Sequence, residues 1–211
     1  MKELKRGAFI VIEGIDGAGK TTAIESAGAL LRDLGYDVLE TSVSLGTPYS
    51  KACMDILKSG LGEDSRHLEQ ALLCASAKAH VYRNVIEPAV KANKIVIVDR
   101  FHLSTKMYQY LCTANNDLVG LTVPWGKIDW TIILDVAPEV GRARIKSRLG
   151  KGEDHLDMAS FDEVTRRRKI MLDWYYANSE KANLICASTS ADIVCDRVVN
   201  EIEKFAYQYL M

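Results

Sequence analysis

The sequence predicts an α/β fold: a parallel sheet of about five strands flanked by helices. Three observations carry this. Short unbroken apolar runs alternate with segments of helical periodicity along the whole chain. The runs are rich in β-branched residues, as strands buried on both faces are. A glycine-bearing turn leaves the first run and enters a helix, at the strand end where ligands of such sheets collect.

The first run, Ala8 to Ile12, stops at Glu13-Gly14. Ile24, Ala27, Leu30, Leu31 and Leu34 then recur at helical spacing, and Gly35 ends that helix. Asp37 to Val43 reads as a second strand, and Pro48 opens a short helix through Leu57. Apolar positions from Leu68 to Ile86 predict a long helix ending near Ala92. Lys94 to Val98 is the clearest interior strand, with a helix from about Ser104. Thr131 to Val136 is a fourth strand; Pro138 starts a helix that runs toward Arg148. Gly150 to Asp157 is polar and reads as a loop. Phe161 to Ala182 is expected to be helical, Asn183 to Ala187 a last strand, and Ala191 to Tyr209 a last helix. No repeat or linker interrupts the 211 residues, so a single domain over 1–211 is expected.

Composition narrows the function classes. Apolar residues make up 48% and charged residues 26%, the balance of a globular protein. The net charge of −1 argues against nucleic-acid binding through a broad basic surface. No stretch approaches the ~20 apolar residues of a membrane span, and the run after the charged N-terminus is too short for a secretory signal. Cys53, Cys74, Cys112, Cys186 and Cys195 form no CxxC or zinc spacing. They suit buried thiols in a reducing, cytoplasmic setting.

Gly14-Ile15-Asp16-Gly17-Ala18-Gly19-Lys20-Thr21 matches GxxxxGK[ST], between a strand and a helix. Glycines let consecutive N–H groups point at phosphate oxygens, and the helix start adds its positive dipole end. Lys20 can reach the β- and γ-phosphates, and Thr21 can ligate Mg²⁺. With Thr22, these residues form a loop for the phosphates of a nucleoside triphosphate. After the interior strand comes Asp99-Arg100. Arg100 can hold an acceptor phosphate with a bidentate fork. Asp99 can hold Mg²⁺ or orient Arg100.

These blocks together resemble the thymidylate kinase family. Glu13 to Thr22 is close to its phosphate loop. Asp99-Arg-Phe-His-Leu-Ser-Thr-Lys-Met-Tyr-Gln109 is similar to its Asp-Arg-Tyr block, and Ile132 to Gly141 to the strand that leads into its lid. The resemblance implies the nucleoside-monophosphate-kinase fold and transfer of the ATP γ-phosphoryl to a deoxynucleoside 5′-monophosphate, dTMP by default, with Mg²⁺. It implies a homodimer through helices that include Leu68 to Ala92, and a lid at about 142–157. Lys20, Arg100, Arg144, Arg148 and Asp16 are the implied catalytic residues, the two later arginines coming from the lid. Asp16, Cys74, Lys78, Arg100, Ser104, Thr105, Tyr108 and Gln109 are implied to line the acceptor pocket. Arg142 and the run Arg166 to Lys169 read as solvated helix surface, with one arginine of that run a candidate to approach the nucleotide.

Two departures stand out. Thr41 to Thr47 lacks the arginine that the family places after its second strand. Cys74 and Lys78 stand where the family has a stacking aromatic and a base-reading arginine. They share a helix face at i, i+4 spacing. Cys74 cannot stack, a loss on the order of 1 kcal/mol, and Lys78 is a point charge instead of a planar fork. The chemistry is unaffected, while the choice of base is left open. Two further readings follow from the residues. One is a deoxynucleoside kinase with Glu13 as the base for a 5′-hydroxyl. The other is a nucleotide-dependent switch without turnover.

Overall fold

The computed structural model of the chain describes residues 2–59, 67–108, 127–149 and 159–210; the side chains of Lys58, His67, Leu68, Arg148 and Leu149 lie outside that description. Five parallel strands form the sheet: β1 (Ala8–Glu13), β2 (Val38–Ser42), β3 (Ile95–Asp99), β4 (Trp130–Asp135) and β5 (Ala182–Cys186). Their order is β2-β3-β1-β4-β5. The chain moves from β1 to one side for β2 and β3, then returns to the other side for β4 and β5. A crevice therefore opens outside the carboxyl end of β1. All six residues of β1 are buried, as a strand covered on both faces requires.

Helix α1 (Lys20–Asp33) and the C-terminal α8 (Ala191–Tyr209) cover one face, where Ile10, Ile12, Ile97 and Ile132 meet Ala27, Leu31, Val198 and Ile202. On the other face Phe9, Val11, Val96 and Val98 pack against α2 (Pro48–Lys58), α3 (His67–Val81) and α4 (Glu87–Lys91). A third cluster joins α5 (His102–Tyr108) and α7 (Phe161–Ala177) through Leu103, Met107 and Met171. Helix α6 (Pro138–Leu149) follows β4.

Three expected boundaries shift, each for a local reason. The long helix from 67 to 91 is interrupted by a π turn at Tyr82–Ile86. Pro88 lacks the N–H that the Asn84 carbonyl would accept, and its ring crowds that carbonyl, so the preceding turn widens. The helix expected from Ser104 starts at His102, because a carboxylate from β1 caps it. The helix expected through Ala182 ends at Ala177, where Asn178 takes non-helical angles and its side chain returns to the Trp174 carbonyl. Helix α2 starts as the sequence implies. Pro48 follows Thr47, whose hydroxyl accepts from Ser50 N at 3.0 Å while the Ser50 hydroxyl accepts from Thr47 N at 3.0 Å. The expected loop from Gly150 to Asp157, and with it much of the expected lid, lies outside the described residues.

Candidate active site

The loop between β1 and α1 is built by backbone constraints. Gly19 caps α1 at φ 85°, and Gly17 sits at φ 77°. A Cβ on Gly17 would stand 2.2 Å from the Gly141 carbonyl oxygen of α6. Only glycine permits both the conformation and that approach. Lys20 opens α1 and is buried. Its ammonium donates to the carbonyls of Gly14 at 3.1 Å and Ile15 at 3.0 Å. Burial, with Arg100 adding, pushes its pKa down to about 8, against the pull of Asp99, Asp16 and Glu13.

The turn after β3 faces this loop. Arg100 adopts a left-handed φ of 61°, uncommon for a residue with a side chain. Glu13, the last residue of β1 and fully buried, holds that turn. Its Oε1 accepts from the N–H groups of Phe101 at 2.8 Å and Leu103 at 3.0 Å; its Oε2 accepts from the Ser104 hydroxyl at 2.8 Å. A carboxylate at the start of α5 suits the helix dipole. Arg100 is thereby aimed back at the loop. Its Nη1 donates to the Gly14 carbonyl at 3.0 Å and to Ser104 at 3.3 Å, and its Nη2 pairs with Asp16. The other Asp16 oxygen accepts from the Tyr108 hydroxyl. Burial raises the Asp16 pKa, but Arg100, Lys20, Tyr108 and Arg167 outweigh it, so the carboxyl stays below its ordinary range. Burial, reinforced by Asp16, lifts the Tyr108 phenol well above its usual value against the pull of Arg100, so it acts as a donor.

A cation would meet suitable groups here. Asp99 Oδ2 accepts from the Thr21 hydroxyl at 3.3 Å, and Asp99 Oδ1 is buried without a hydrogen-bond partner among the described residues. A hydroxyl and a carboxylate are oxygen donors of the kind that Mg²⁺ takes alongside substrate phosphates.

On the far side of the loop, Arg144 of α6 donates to Gly17 O at 3.4 Å and Thr189 O at 3.3 Å. Together with Ala18, Gly19, Ala187 and Val194 it lines a cavity of about 280 Å³ beside the phosphate loop. Arg144 thus borders the phosphate loop on one side, and Arg100 with Asp16 borders it on another.

A family model described as thymidylate kinase matches residues 12–198. The chain belongs to the thymidylate kinase family. It is 32% identical to a thymidylate kinase of Haemophilus ducreyi, with 95% of each chain covered. It is 30% identical to one of Protochlamydia amoebophila, covering 94% of this chain and 93% of that one. The crystal structure of thymidylate kinase from Ehrlichia chaffeensis superposes with a TM-score of 0.72 at 24% identity, over 93% of this chain and 99% of that one; it shows the shared fold.

Within this thymidylate kinase family member, the structure brings together Lys20, Thr21, Asp16, Asp99, Arg100, Ser104 and Tyr108 as just described. Thr22 is exposed on α1, and Thr105 is buried in α5. Cys74 and Lys78 are buried on α3, and the Lys78 ammonium lies 6.0 Å from the centre of the Phe101 ring. Burial pushes the Cys74 thiol up and the Lys78 ammonium down. Gln109 and the Arg148 side chain lie outside the described residues. Arg142 is exposed and donates to Ala159 O at 2.9 Å. Of the cysteines, Cys53, Cys74 and Cys195 are buried and Cys186 is exposed; Cys112 lies outside the described residues.

One expectation is corrected in part: the run Arg166 to Lys169 is not a solvated face throughout, and two of its arginines leave that face. Arg168 makes a bidentate pair with Asp135 at the end of β4, at 2.7 and 2.8 Å. Arg167 turns into the site, 3.8 Å from Asp16. Only Lys169, paired with Asp173, stays on an exposed pair, while Arg166 bonds Glu163 on its own helix. Four consecutive basic residues span all sides of a helix, so composition hides which side is buried. Burial of Val164 and Met171 on the same helix is the signal that fixes its inner side.

Proposed function

We propose that the chain transfers the γ-phosphoryl group of ATP to the 5′-phosphate of dTMP, giving dTDP and ADP. The observation that carries this is the meeting of two anion-seeking elements at neighbouring strand ends. The phosphate loop follows β1, and Arg100 follows β3, held against the loop through Gly14 and Asp16. A donor phosphate on the loop and an acceptor phosphate on Arg100 then face each other. Phosphoryl transfer needs little else than positioning and charge neutralisation.

In this reading the loop N–H groups and Lys20 hold the β- and γ-phosphates, and the cavity beside Arg144 takes the donor base. Arg100 holds the acceptor phosphate, and Tyr108 and Asp16 border its sugar. Cys74 and Lys78 lie under the acceptor base. Thr21 and Asp99 would hold Mg²⁺, which would neutralise charge on the donor phosphates. The lid arginines Arg144 and Arg148 neutralise the transferring group. The reading takes the chain as one P-loop kinase domain acting in the cytoplasm. No helix among the described residues is long and apolar enough to cross a membrane. It takes the enzyme as a homodimer; Leu72 on α3 and Ile56 on α2 are large apolar side chains left about half exposed on that layer.

The alternative of a deoxynucleoside kinase with Glu13 as base is disfavoured by one observation. Both Glu13 oxygens already cap α5 from a fully buried position. ADP release from Mg-ATP with dTMP, the other deoxynucleoside monophosphates and thymidine tests the proposal. The expected result is turnover with dTMP and none with thymidine. Turnover with thymidine alone, or with no acceptor, would overturn it.

A further inference from the structure

Arg167 stands apart from every other cation of the site, because it comes from α7 and has donor capacity to spare. Its side chain is 13% exposed. Its Cζ lies 4.1 Å from the centre of the Tyr108 ring, while Arg100 Cζ lies 5.3 Å from the same ring. Two guanidinium groups therefore lie close to one phenol. The Arg167 Nε donates to Glu163 Oε1 at 3.0 Å, four residues back on the same helix. Its Nη1 is buried and has no hydrogen-bond partner among the described residues. That Nη1 stands 3.8 Å from Asp16 Oδ2, which is already engaged by the Tyr108 hydroxyl.

This placement is imposed from elsewhere in the fold. The rotation of α7 is set by Val164 and Met171 in the core and by the bidentate pair of Arg168 with Asp135. Arg167, one residue before Arg168, is turned about 100° around the helix and so into the cleft. A buried charged donor without a partner is costly, and such groups persist where a ligand satisfies them. Asp16 is shared among Lys20, Arg100 and Arg167. The segment Thr41 to Thr47, at the neighbouring strand end, contains no basic residue. Arg167 and Arg100 stand at the two oxygens of Asp16, so the unspent donor is on the side read as the acceptor's.

We propose that Arg167 is a second guanidinium contact for the acceptor phosphate, supplied from α7 and set across Asp16 from Arg100. This rests on the reading of the Arg100 side as the acceptor site. On binding, the acceptor phosphate takes the Nη1 donors of Arg167. The role is one of binding and orientation, with no proton or bond exchanged.

The experiment is calorimetric titration of dTMP and of thymidine, without donor nucleotide, into the full chain and three variants. These are Arg167→Ala, Arg167→Lys and, as a control on the Glu163 pair, Arg166→Ala. A charge-assisted phosphate contact predicts that Arg167→Ala weakens dTMP binding roughly ten- to a hundredfold. Thymidine binding should change by less than about threefold, which also reports an intact pocket. Arg167→Lys should recover part of the loss, and Arg166→Ala should resemble the parent. Equal weakening of dTMP and thymidine would overturn the proposal and make Arg167 a positioning residue for Tyr108 and Asp16. Unchanged dTMP binding in Arg167→Ala would overturn it as well. Failure of the parent chain to bind dTMP at all would instead overturn the acceptor reading, and the proposal with it.

Discussion

Replacing Glu13 separates two accounts of the same carboxylate. In the structure it is a cap: Oε1 accepts from two buried backbone N–H groups, and Oε2 from Ser104, which in turn accepts from Arg100. Glu13→Gln keeps one acceptor oxygen but loses the charge. Ser104 Oγ would then face amide donors from one side and Arg100 from the other. Charge-assisted bonds exceed neutral ones by about 1–2 kcal/mol. Glu13→Ala leaves the N–H groups of Phe101 and Leu103 without partners, at about 1–3 kcal/mol each, or about 2–6 kcal/mol together. Urea denaturation reads this directly. With a slope of roughly 2–3 kcal/mol/M, the Gln variant should lose about half a molar in midpoint and the Ala variant about 1–2 M. Turnover of dTMP by the Gln variant should stay within about tenfold of the parent, because no proton passes through this group. A Gln variant with parental stability and abolished turnover would refute the cap and support a base.

The other predictions concern the loop and the buried imidazole. Lys20 has a pKa of about 8 in the unliganded protein, and bound phosphates must raise it. ATP binding at pH 8 should therefore take up about half a proton. Calorimetry in buffers of different ionisation enthalpy checks this, and Lys20→Met should abolish both the uptake and the turnover. Gly17→Ala forces a Cβ against the Gly141 carbonyl at a left-handed φ; a loss of about 2–4 kcal/mol and of ATP binding is expected. His102 is buried edge-on against Trp174, and burial, aided by Lys78 and Lys106, pushes its pKa down to about 3. The unfolded chain takes up this proton below about pH 6.5 and the folded chain does not. Stability is thus complete above pH 6.5 and falls by about 1.4 kcal/mol per pH unit toward pH 3, about 2 kcal/mol by pH 5. Denaturation midpoints of His102→Gln should show a shallower loss over that range.

The strands and the phosphate loop were legible because each depends on its own residues. The five expected strands are all present, β1, β3 and β4 largely buried and β2 and β5 at the edges less so, and the glycine spacing of the loop carries its geometry with it. What the sequence concealed depends on distant partners. Helix α5 begins at His102 because Glu13, on another strand, caps it, and no local residue announces that. Arg167 and Arg168 are adjacent in a run of like charge, yet one grips β4 and the other enters the cleft. Only the rotation of α7, fixed by Val164 and Met171, distinguishes them. The pairing of Asp16 with Arg100 joins residues 84 apart, held by strands that are neighbours only in the folded sheet.

The central claim is that the loop after β1 and Arg100 after β3 present a donor and an acceptor phosphate to each other. Its most direct test follows the transferred group itself. ATP carrying heavy oxygen in its γ-phosphoryl group is mixed with dTMP, Mg²⁺ and the protein, and the products are read by mass spectrometry. The account predicts the label in the terminal phosphoryl of dTDP. Label found only in inorganic phosphate, with dTMP unconsumed, would contradict it.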